Sequence, residues 1–176
     1  LAFNIDKLDE LYCLGGTSGD AGPKILTVID QEEWIIKFPA NVDGKDAGKM
    51  EYDYSCCAGK CGIIMSETRL FPSEKCKGYF GIRRFDRKSG GKRVHMLTAA
   101  AMLELDFEQP SLDYHGLMKL TKILTRDNHI DVENMFRRMC FNVFAHNRDD
   151  HLKNFTYLYD EADDSWHLSP AYDLTY

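Results

Sequence analysis

The sequence predicts an α+β fold in two lobes, a small antiparallel sheet with one helix followed by a mainly helical lobe. Short runs rich in β-branched and aromatic residues occupy the first half of the chain, whereas apolar residues at spacings of three and four occupy most of the second half. A charged, glycine-rich stretch from Asp86 to Gly91 separates the two patterns and predicts the junction. We therefore expect domains at residues 1–86 and 87–176.

The first lobe is predicted from the spacing of its apolar residues. Residues 24–30 and 33–38 have strand character and predict a hairpin over the polar pair Gln31-Glu32. Residues 46–60 have helical spacing and predict the one helix that packs on the sheet. In chain order the predicted elements are a short amphipathic helix over 4–13 with Asn4 as N-cap, a glycine-rich turn region over 15–24, the hairpin, the helix over 46–60 with Ala47, Met50, Tyr54, Cys57, Ala58 and Cys61 on one face, and strands over 63–71 and 78–85.

The second lobe is predicted to be mainly helical. Apolar residues recur at helical spacing over 94–105, 115–126 and 131–145, and Pro110 interrupts the pattern after the first of these stretches. The last stretch is the richest in large apolar residues, so we expect it to be the central buried helix. Its predicted apolar face comprises Val132, Met135, Phe136, Met139, Cys140, Val143 and Phe144, and a hairpin over 161–164 then joins strands at 155–159 and 165–168.

The composition is that of a folded globular chain, with 176 residues of which 44% are hydrophobic and 12% aromatic. A net charge of −6 argues against nucleic-acid binding driven by overall charge, so we expect no direct nucleic-acid binding. No apolar run reaches the roughly 18–20 residues needed to cross a bilayer, and no signal peptide is visible. The chain begins with Leu1 rather than Met, which predicts a fragment or a processed product.

Six cysteines occur without the regular spacing of a disulfide framework. They contain no Cys-x-x-Cys pair and have no nearby histidine, so a zinc site is not predicted. We expect buried or partly buried free thiols, which indicate a reducing, cytoplasmic setting.

The run from Asn147 to Asn154 carries the most informative chemistry. Asp149 precedes Asn154 by five positions, and Asp173 follows a further strand-like stretch. These residues form the minimal acidic set of a phosphoryl-transfer site, in which the first aspartate accepts or orients a hydroxyl proton while the asparagine and the second aspartate hold Mg²⁺ against nucleotide phosphates. An apolar helix before the run and a strand after it provide the rigid support that an exposed catalytic loop needs.

Lys37 lies in a predicted strand between Ile36 and Phe38. A buried ammonium needs a partner for its charge. In a phosphoryl-transfer site the partners are the nucleotide phosphates and a helix glutamate, and Glu51 lies on the predicted helix of this lobe. The alternative is that Lys37 extends from a strand edge into solvent. The acidic set favours the first interpretation.

The glycine-rich region over 15–24 lies directly before the predicted hairpin, where a phosphate-covering loop must lie. Its glycines allow close backbone approach and let successive N–H groups point at an anion, although plain turn chemistry remains an alternative. Lys24 adds a candidate phosphate contact. Thr17 and Ser18 are placed where phosphorylation would disturb the loop. The glycines are Gly15, Gly16, Gly19 and Gly22.

A metal-dependent hydrolase is a further alternative, because His146, His151 and the neighbouring aspartates are ordinary ligands of transition metals. The remaining histidines do not supply a second cluster of ligands. They are scattered singly at positions 95, 115, 129 and 167.

Together, these residues resemble those of the HipA-type serine/threonine kinases, the toxins of bacterial toxin–antitoxin pairs. The resemblance covers most of the chain. Its most specific parts are Asp-x-His-x-x-Asn and Tyr-Asp, in that order. The matching segments are the loop ending in Pro23-Lys24, Ile35-Ile36-Lys37-Phe38-Pro39, Glu51-Tyr52, Arg84-Phe85-Asp86-Arg87, Asp149-x-His151-x-Lys153-Asn154-Phe155 and Pro170-x-Tyr172-Asp173.

The resemblance implies a two-lobed protein-kinase-like fold that transfers the γ-phosphoryl group of ATP, with Mg²⁺, to a protein hydroxyl. It implies Asp149 as catalytic base with His151 beside the nucleotide in the same loop. It also implies a protein substrate of the translation machinery, a DNA-binding antitoxin as partner, and autophosphorylation of a loop hydroxyl at Thr17 or Ser18. The implied Mg²⁺ ligands are Asn154 and Asp173, and the nucleotide-binding residues are Lys37, Glu51, Gly16, Thr17, Ser18, Gly19 and Lys24, with Arg83 and Phe85 in the hinge beside adenine.

The chain departs from the family pattern in three ways. Arg83 stands where an acidic residue is familiar, the extra N-terminal segment of the family is absent, and the chain ends three residues after Asp173. We therefore expect a fragment in which the apolar face of the helix over 131–145 is undercovered. Two alternative functions remain open: a pseudokinase or nucleotide-binding regulatory module, and a small-molecule phosphotransferase.

Overall fold

The computed structural model describes residues 7–14, 22–40, 43–104, 112–147 and 150–175. Within these ranges the chain has the predicted mixed architecture of antiparallel sheets and helices in two lobes. The first lobe contains α1 (Leu8–Leu14), β1 (Lys24–Ile29), β2 (Glu32–Lys37), α2 (Ala47–Lys60), β3 (Thr68–Phe71) and β4 (Tyr79–Arg83). The second contains β5 (Met96–Thr98), α3 (Ala99–Met102), α4 (Tyr114–Leu124), α5 (His129–Phe144), β6 (Thr156–Asp160) and β7 (Ser165–Leu168).

Strands β1 and β2 form the predicted hairpin around a two-residue turn at Asp30 and Gln31, whose φ angles are 52° and 68°. Positive φ at both central residues is the geometry of a type I′ turn, which matches the twist of a hairpin. The predicted turn at Gln31-Glu32 is therefore wrong by one residue. Aspartate is among the residues that most readily adopt a left-handed conformation, which favours the earlier position.

The four strands of the first lobe lie in the order β1-β2-β4-β3, and α1 covers one face of this sheet. Leu8 of α1 packs with Ile36, Phe38 and Tyr79. The rings of Phe38 and Tyr79 meet edge to face with their centroids 4.8 Å apart. Because side chains alternate along a strand, Lys37 lies on the opposite face of the sheet. Asn4, the predicted N-cap of the first helix, lies outside the described residues.

Helix α2 packs on the sheet face that carries Lys37, through small residues. A Cβ atom on Gly48 would clash with the carbonyl oxygen of Gly78 and lie 3.0 Å from the amide nitrogen of Phe80. The helix can therefore approach the strands only where its side chains are small. Its buried residues are Gly48, Ser55 and Ala58. The predicted apolar face is wrong at three exposed positions, Met50, Cys57 and Cys61.

The predicted helix over 94–105 is partly wrong, because residues 96–98 form strand β5. This strand pairs with β6, with Leu97 opposite Tyr157. The hydroxyl of Thr98 then accepts a hydrogen bond of 3.1 Å from the amide of Ala101 and caps the short helix α3. Pairing with a distant strand overrides local spacing here, and the sequence gives no local sign of it.

Helices α4 and α5 lie within two residues of their predicted ranges, and each begins at a capping side chain. Asp113 accepts a hydrogen bond of 2.8 Å from the amide of Gly116, and Asn128 accepts one of 3.0 Å from the amide of Ile130. Such caps satisfy amide groups that the first turn of a helix leaves without partners.

The buried face of α5 is mostly polar, which corrects the predicted apolar core helix. Arg138 donates hydrogen bonds to Asn134 and to the carbonyl of Ser169, and Asp131 accepts one of 3.2 Å from the amide of Leu168. These bonds anchor α5 to β7 and to the segment that follows it. Of the seven predicted face residues Met135 is the buried one, and three others are more than half exposed: Phe136 at 51%, Val143 at 57% and Phe144 at 80%. Three large apolar side chains of this helix are therefore exposed to solvent.

An apolar cluster joins the two lobes. We call it the inter-lobe cluster. It comprises Tyr54 and Ala58 of α2, Ile63 and Met65 after that helix, Phe141 and Ala145 of the α5 end, and Ala171 and Leu174 after β7. The amide of Ala171 also donates a hydrogen bond of 2.8 Å to the carbonyl of Ile64. The segment that follows β7 is therefore packed against the first lobe, while the division of the chain at residues 86 and 87 stays a prediction.

The described helices are too short or too polar to span a bilayer. All six cysteines are free, as predicted, although Cys13, Cys57 and Cys61 are exposed rather than buried. Across the described ranges, no group of three or more histidine, cysteine, aspartate or glutamate side chains forms a metal cluster.

Candidate active site

Lys37 lies between two carboxylates that come from distant parts of the chain. Its Nζ is 2.6 Å from Oε1 of Glu51, and it also contacts Oδ1 of Asp173. The nitrogen lies 5.7 Å from the ring centroid of Phe80, which adds a cation–π contact. The pairing of Lys37 with Glu51 that the sequence predicted is present. The interpretation of Lys37 as a solvent-directed side chain is wrong.

Each of these three residues is placed by a different element. Lys37 is the last residue of β2, Glu51 lies just after the first turn of α2, and Asp173 follows β7. The backbone of Asp173 has a φ of 52°, a left-handed conformation that is uncommon for residues other than glycine.

The two carboxylates keep Lys37 positively charged. Burial acts to lower the pKa of its ammonium group, but the negative charges of Glu51 and Asp173 outweigh burial and raise the pKa above its ordinary value. Burial raises the pKa of Glu51, and the charge of Lys37 opposes that rise. The site therefore holds a fixed cation at the wall of the cavity described below.

Tyr172 fixes the segment that carries Asp173. Its hydroxyl donates a hydrogen bond of 2.6 Å to the carbonyl of Lys153 and lies 2.5 Å from the hydroxyl of Thr156. Since a phenol has one proton, Thr156 donates to Tyr172. Lys153 belongs to the 3₁₀ turn Leu152–Asn154, so Tyr172 ties this turn to Asp173.

The residues predicted around Asp149 are only partly described. Asn154 ends the 3₁₀ turn, and its amide donates a hydrogen bond of 2.8 Å to the carbonyl of His151. His151 is an exposed residue. Asp149 itself lies outside the described residues. The same holds for Gly15, Gly16, Thr17, Ser18 and Gly19 of the predicted phosphate loop. Their roles stay predictions.

A cavity of about 500 Å³ opens beside Lys37. Its wall includes Gly22, which precedes β1, Lys24 at the start of β1, and Ala47 and Gly48 at the N-terminus of α2. A Cβ atom on Gly22 would come within 2.9 Å of the carbonyl of Phe38, so only glycine fits there without displacement. The ionisable residues of the wall are Lys24, Lys37, Asp43, Asp46, Glu51 and Asp173. Four carboxylates thus face two ammonium groups.

An apolar strip lies on the same sheet face as Lys37, and the sequence analysis missed it. Leu26 and Val28 of β1 are 66% and 56% exposed, and Leu26 lies opposite Ile35 of β2. Ile35 precedes Lys37 by two residues and therefore shares its face. The sequence contains one sign of this strip: β1 has apolar residues on both faces, which is unusual for a strand at the edge of a sheet.

The two predicted hinge residues point in different directions. Arg83 ends β4 opposite Trp34, on the sheet face away from Lys37, and its side chain approaches Glu32 at 3.9 Å. The ring of Phe85 instead contacts the ring of Tyr172, with centroids 5.4 Å apart. Phe85 therefore connects the junction between the lobes to the segment that carries Asp173.

Comparison with known proteins finds relatives of this chain by sequence and by fold. A putative kinase of Sinorhizobium fredii, Y4dM, is 27% identical over 154 residues, which cover 80% of this chain and 36% of that protein. A chain of the Shewanella oneidensis MR-1 toxin–antitoxin complex of HipA, HipB and operator DNA superposes with a TM-score of 0.73 at 15% identity, covering 98% of this chain and 50% of that one. The Helicobacter pylori proinflammatory kinase CtkA superposes with a TM-score of 0.64 at 16% identity, covering 90% of this chain and 55% of that one.

The two structural matches show a two-lobed, kinase-like fold. The chain spans about half or less of the length of each of the three proteins. The sequence model of the HipA-like C-terminal domain matches residues 15–176, nearly the whole chain. The chain therefore belongs to the HipA-like C-terminal domain family.

Proposed function

We propose that this protein is an ATP- and Mg²⁺-dependent serine/threonine protein kinase that transfers the γ-phosphoryl group of ATP to a protein hydroxyl. The observation that carries the proposal is the position of Lys37, held between Glu51 and Asp173 at the wall of a cavity. Phosphoryl transfer depends on positioning and on charge neutralisation, and a fixed ammonium beside carboxylates from two lobes supplies both.

The nucleotide would lie along the sheet face that carries Lys37. Leu26, Val28 and Ile35 offer an exposed apolar strip for the adenine ring. Lys37 and Lys24 would then contact the phosphates, together with backbone amides near Gly22. The hinge contact by Arg83 and Phe85, and the loop contacts by Gly16, Thr17, Ser18 and Gly19, are part of the same proposal.

A divalent cation is needed for this arrangement on electrostatic grounds. The cavity wall carries four carboxylates and two ammonium groups, and even with Asp46 paired to Lys77 its net charge is negative, which would oppose a triphosphate. Asn154 and Asp173 would hold Mg²⁺, because carboxylate and amide oxygens are the ligands it prefers. When bound, Mg²⁺ would supply positive charge that offsets the negative charge of the nucleotide phosphates.

In the proposed reaction the oxygen of a protein hydroxyl forms a bond to the γ-phosphorus while the bond from that phosphorus to the β,γ-bridging oxygen breaks. Asp149 would orient the hydroxyl and accept its proton, with His151 beside it in the same loop. ADP leaves with the electron pair of the broken bond. Lys37, held in place by Glu51, would keep the phosphates in line with the attacking oxygen.

We also propose a toxin role with a protein substrate and a DNA-binding antitoxin as partner, in the cytoplasm. Support for the partner comes from the Shewanella complex, which contains HipA, HipB and operator DNA. Support for the compartment comes from the six free cysteines, which suit a reducing environment.

A nucleotide-binding regulatory module without transfer activity is the second candidate. The observation that favours it is the direct contact between Lys37 and Asp173, which occupies a proposed metal ligand with a protein cation. If Asp173 stayed in this contact when nucleotide was bound, Mg²⁺ would lose one of its two proposed ligands. Phosphate-transfer measurements beside nucleotide binding separate the two candidates.

The roles are tested in the full-length protein by transfer of labelled phosphate from ATP to a protein substrate. We expect Asp149→Ala and Asp173→Ala to abolish transfer, and Asp149→Ala to retain nucleotide binding, because Asp149 acts on the hydroxyl and not on the nucleotide. Lys49→Met is the control, since Lys49 is an exposed lysine of α2 that pairs with Asp53. Undiminished transfer in both aspartate variants would refute the roles.

A further inference from the structure

We infer that Tyr54 is a positioning residue that aligns the Lys37–Glu51 pair with the loop following α5. The inference rests on the proposed function, because it concerns the alignment of the nucleotide side of the site with the hydroxyl side. It assigns to one side chain the link between two elements that come from different lobes.

Tyr54 lies on α2 three residues after Glu51, so both side chains lie on neighbouring positions of the same helix face. Its hydroxyl donates a hydrogen bond of 3.0 Å to the carbonyl of Ala145. Its ring meets the ring of Phe141 edge to face, with centroids 6.2 Å apart and an interplanar angle of 90°. One side chain of α2 thus makes both an apolar and a polar contact with the end of α5.

The hydrogen bond from Tyr54 lies at the C-terminal end of α5, where it can fix the position of that end relative to α2. Ala145 is the C-cap of α5, and the last carbonyl groups of a helix have no partner within the helix. Tyr54 supplies that partner. Two residues later, Asn147 is buried and bonds back to Asn142 through its amide at 3.0 Å and its side chain at 3.2 Å. The end of α5 and the start of the following loop are therefore held as one unit.

The hydroxyl and the ring have separable tasks. The ring belongs to the inter-lobe cluster and contributes to packing. The hydroxyl restricts the rotation of α2 relative to α5 more narrowly than apolar contact does, because a hydrogen bond to one carbonyl requires a particular geometry. Rotation of α2 would move Glu51, and with it Lys37, relative to Asp173 and to the turn that ends at Asn154. Tyr54 therefore acts on the site through Glu51 and does not touch the reacting groups.

The test compares Tyr54→Phe with Tyr159→Phe in the full-length protein. Tyr159 provides a matched loss of one hydroxyl, because it donates a hydrogen bond of 2.5 Å to Asp164 on the β6–β7 hairpin, away from the cavity. We expect Tyr54→Phe to lower kcat for phosphoryl transfer roughly fivefold, because the loss of one neutral hydrogen bond would raise the activation free energy by a corresponding amount. The KM for ATP should change less than about twofold. Amide hydrogen exchange at residues 145–147 and 150–154 should become faster. Tyr159→Phe should match the wild type in all three measurements.

Two results would overturn the inference: wild-type kcat together with wild-type exchange in Tyr54→Phe, or a parallel loss of kcat, ATP affinity and melting temperature, which indicates general loosening. Failure of the proposed function is recognised separately, because then the wild type itself transfers no phosphate. In that case the exchange comparison decides alone. Faster exchange at the α5 end supports the link, and unchanged exchange rejects it.

Discussion

At the scale of single residues, Gly48 determines how closely α2 approaches the sheet. A side chain there would meet the carbonyl oxygen of Gly78 and lie 3.0 Å from the amide nitrogen of Phe80, both of which are backbone atoms. Glu51 lies one turn further along the same helix and reaches Lys37 at 2.6 Å. The absence of a Cβ atom at Gly48 is therefore a condition for the ion pair at the candidate site.

Replacing Gly48 by alanine should destabilise the protein by about 1–3 kcal/mol, because backbone atoms cannot move aside for the added methyl group. Gly59→Ala on the same helix should instead stabilise by about 0.5–1 kcal/mol, since a Cβ atom there meets nothing within 4 Å and alanine is the better helix former. Urea unfolding of both variants measures the difference. Equal effects of the two substitutions would show that close approach at Gly48 is unimportant.

The sequence identified Lys37 and Glu51 at this scale because a lysine in an apolar strand requires a partner and because one helix glutamate was available. It did not identify Leu26 and Val28, since an apolar residue in a strand is equally typical of a core. The role of Tyr54 was also invisible, because its partner is a backbone carbonyl 91 residues away.

At the scale of elements, α5 and β7 are joined by charge rather than by apolar packing alone. His167 of β7 lies 3.2 Å from Asp131 of α5 and 3.1 Å from Asp163. Burial acts to lower the pKa of His167, but the hydrogen bonds and charges of Asp163 and Asp131 outweigh burial and raise the pKa above its ordinary value of 6.5. The folded protein therefore binds this proton more tightly than the unfolded chain does.

The consequence is a pH-dependent contribution to stability. A raised pKa in the folded state gives stabilisation that is fully present below pH 6.5 and disappears as the pH rises through the folded value. His167→Gln should therefore lower the melting temperature most at about pH 5.5, and its effect should shrink as the pH rises above 6.5 and the folded protein loses this proton. His129→Gln is the control, because His129 is exposed and lies 3.8 Å from a single carboxylate, Glu133. A loss that is independent of pH would contradict this assignment.

Elements with strong local signals were predictable, and elements made by long-range pairing were not. Apolar spacing predicted α4 and α5, with starts one and two residues late, because the capping residues Asp113 and Asn128 were not recognised in the sequence. Strand β5, in contrast, exists because it pairs with β6, which lies almost 60 residues later. The polar face of α5 was missed for a related reason: Arg138 and Asp131 are buried only because the segment around Ser169 and Leu168 folds against them.

At the scale of the whole molecule, the candidate site exists only where the two lobes meet. Lys37 and Glu51 come from the first lobe, whereas Asp173 and the turn ending at Asn154 come from the second. The inter-lobe cluster and the contact between Phe85 and Tyr172 hold these parts together. The change from strand-like to helical spacing along the sequence predicted this two-lobed arrangement. The direct contact of Lys37 with Asp173 was not predictable, because it depends on how the lobes close.

We expect the cavity beside Lys37 to bind a nucleotide together with a divalent cation. Thermal unfolding of the full-length protein tests this most directly. ATP with Mg²⁺ at about 100 times its dissociation constant should stabilise the protein by about 2.7 kcal/mol, and ATP alone or Mg²⁺ alone should stabilise it much less, because the cavity wall is rich in carboxylates. Lys37→Met should abolish the shift, Asp173→Ala should remove the extra effect of Mg²⁺, and Lys49→Met should leave both unchanged. Equal shifts by ATP with and without Mg²⁺, or a full shift in Lys37→Met, would contradict the account.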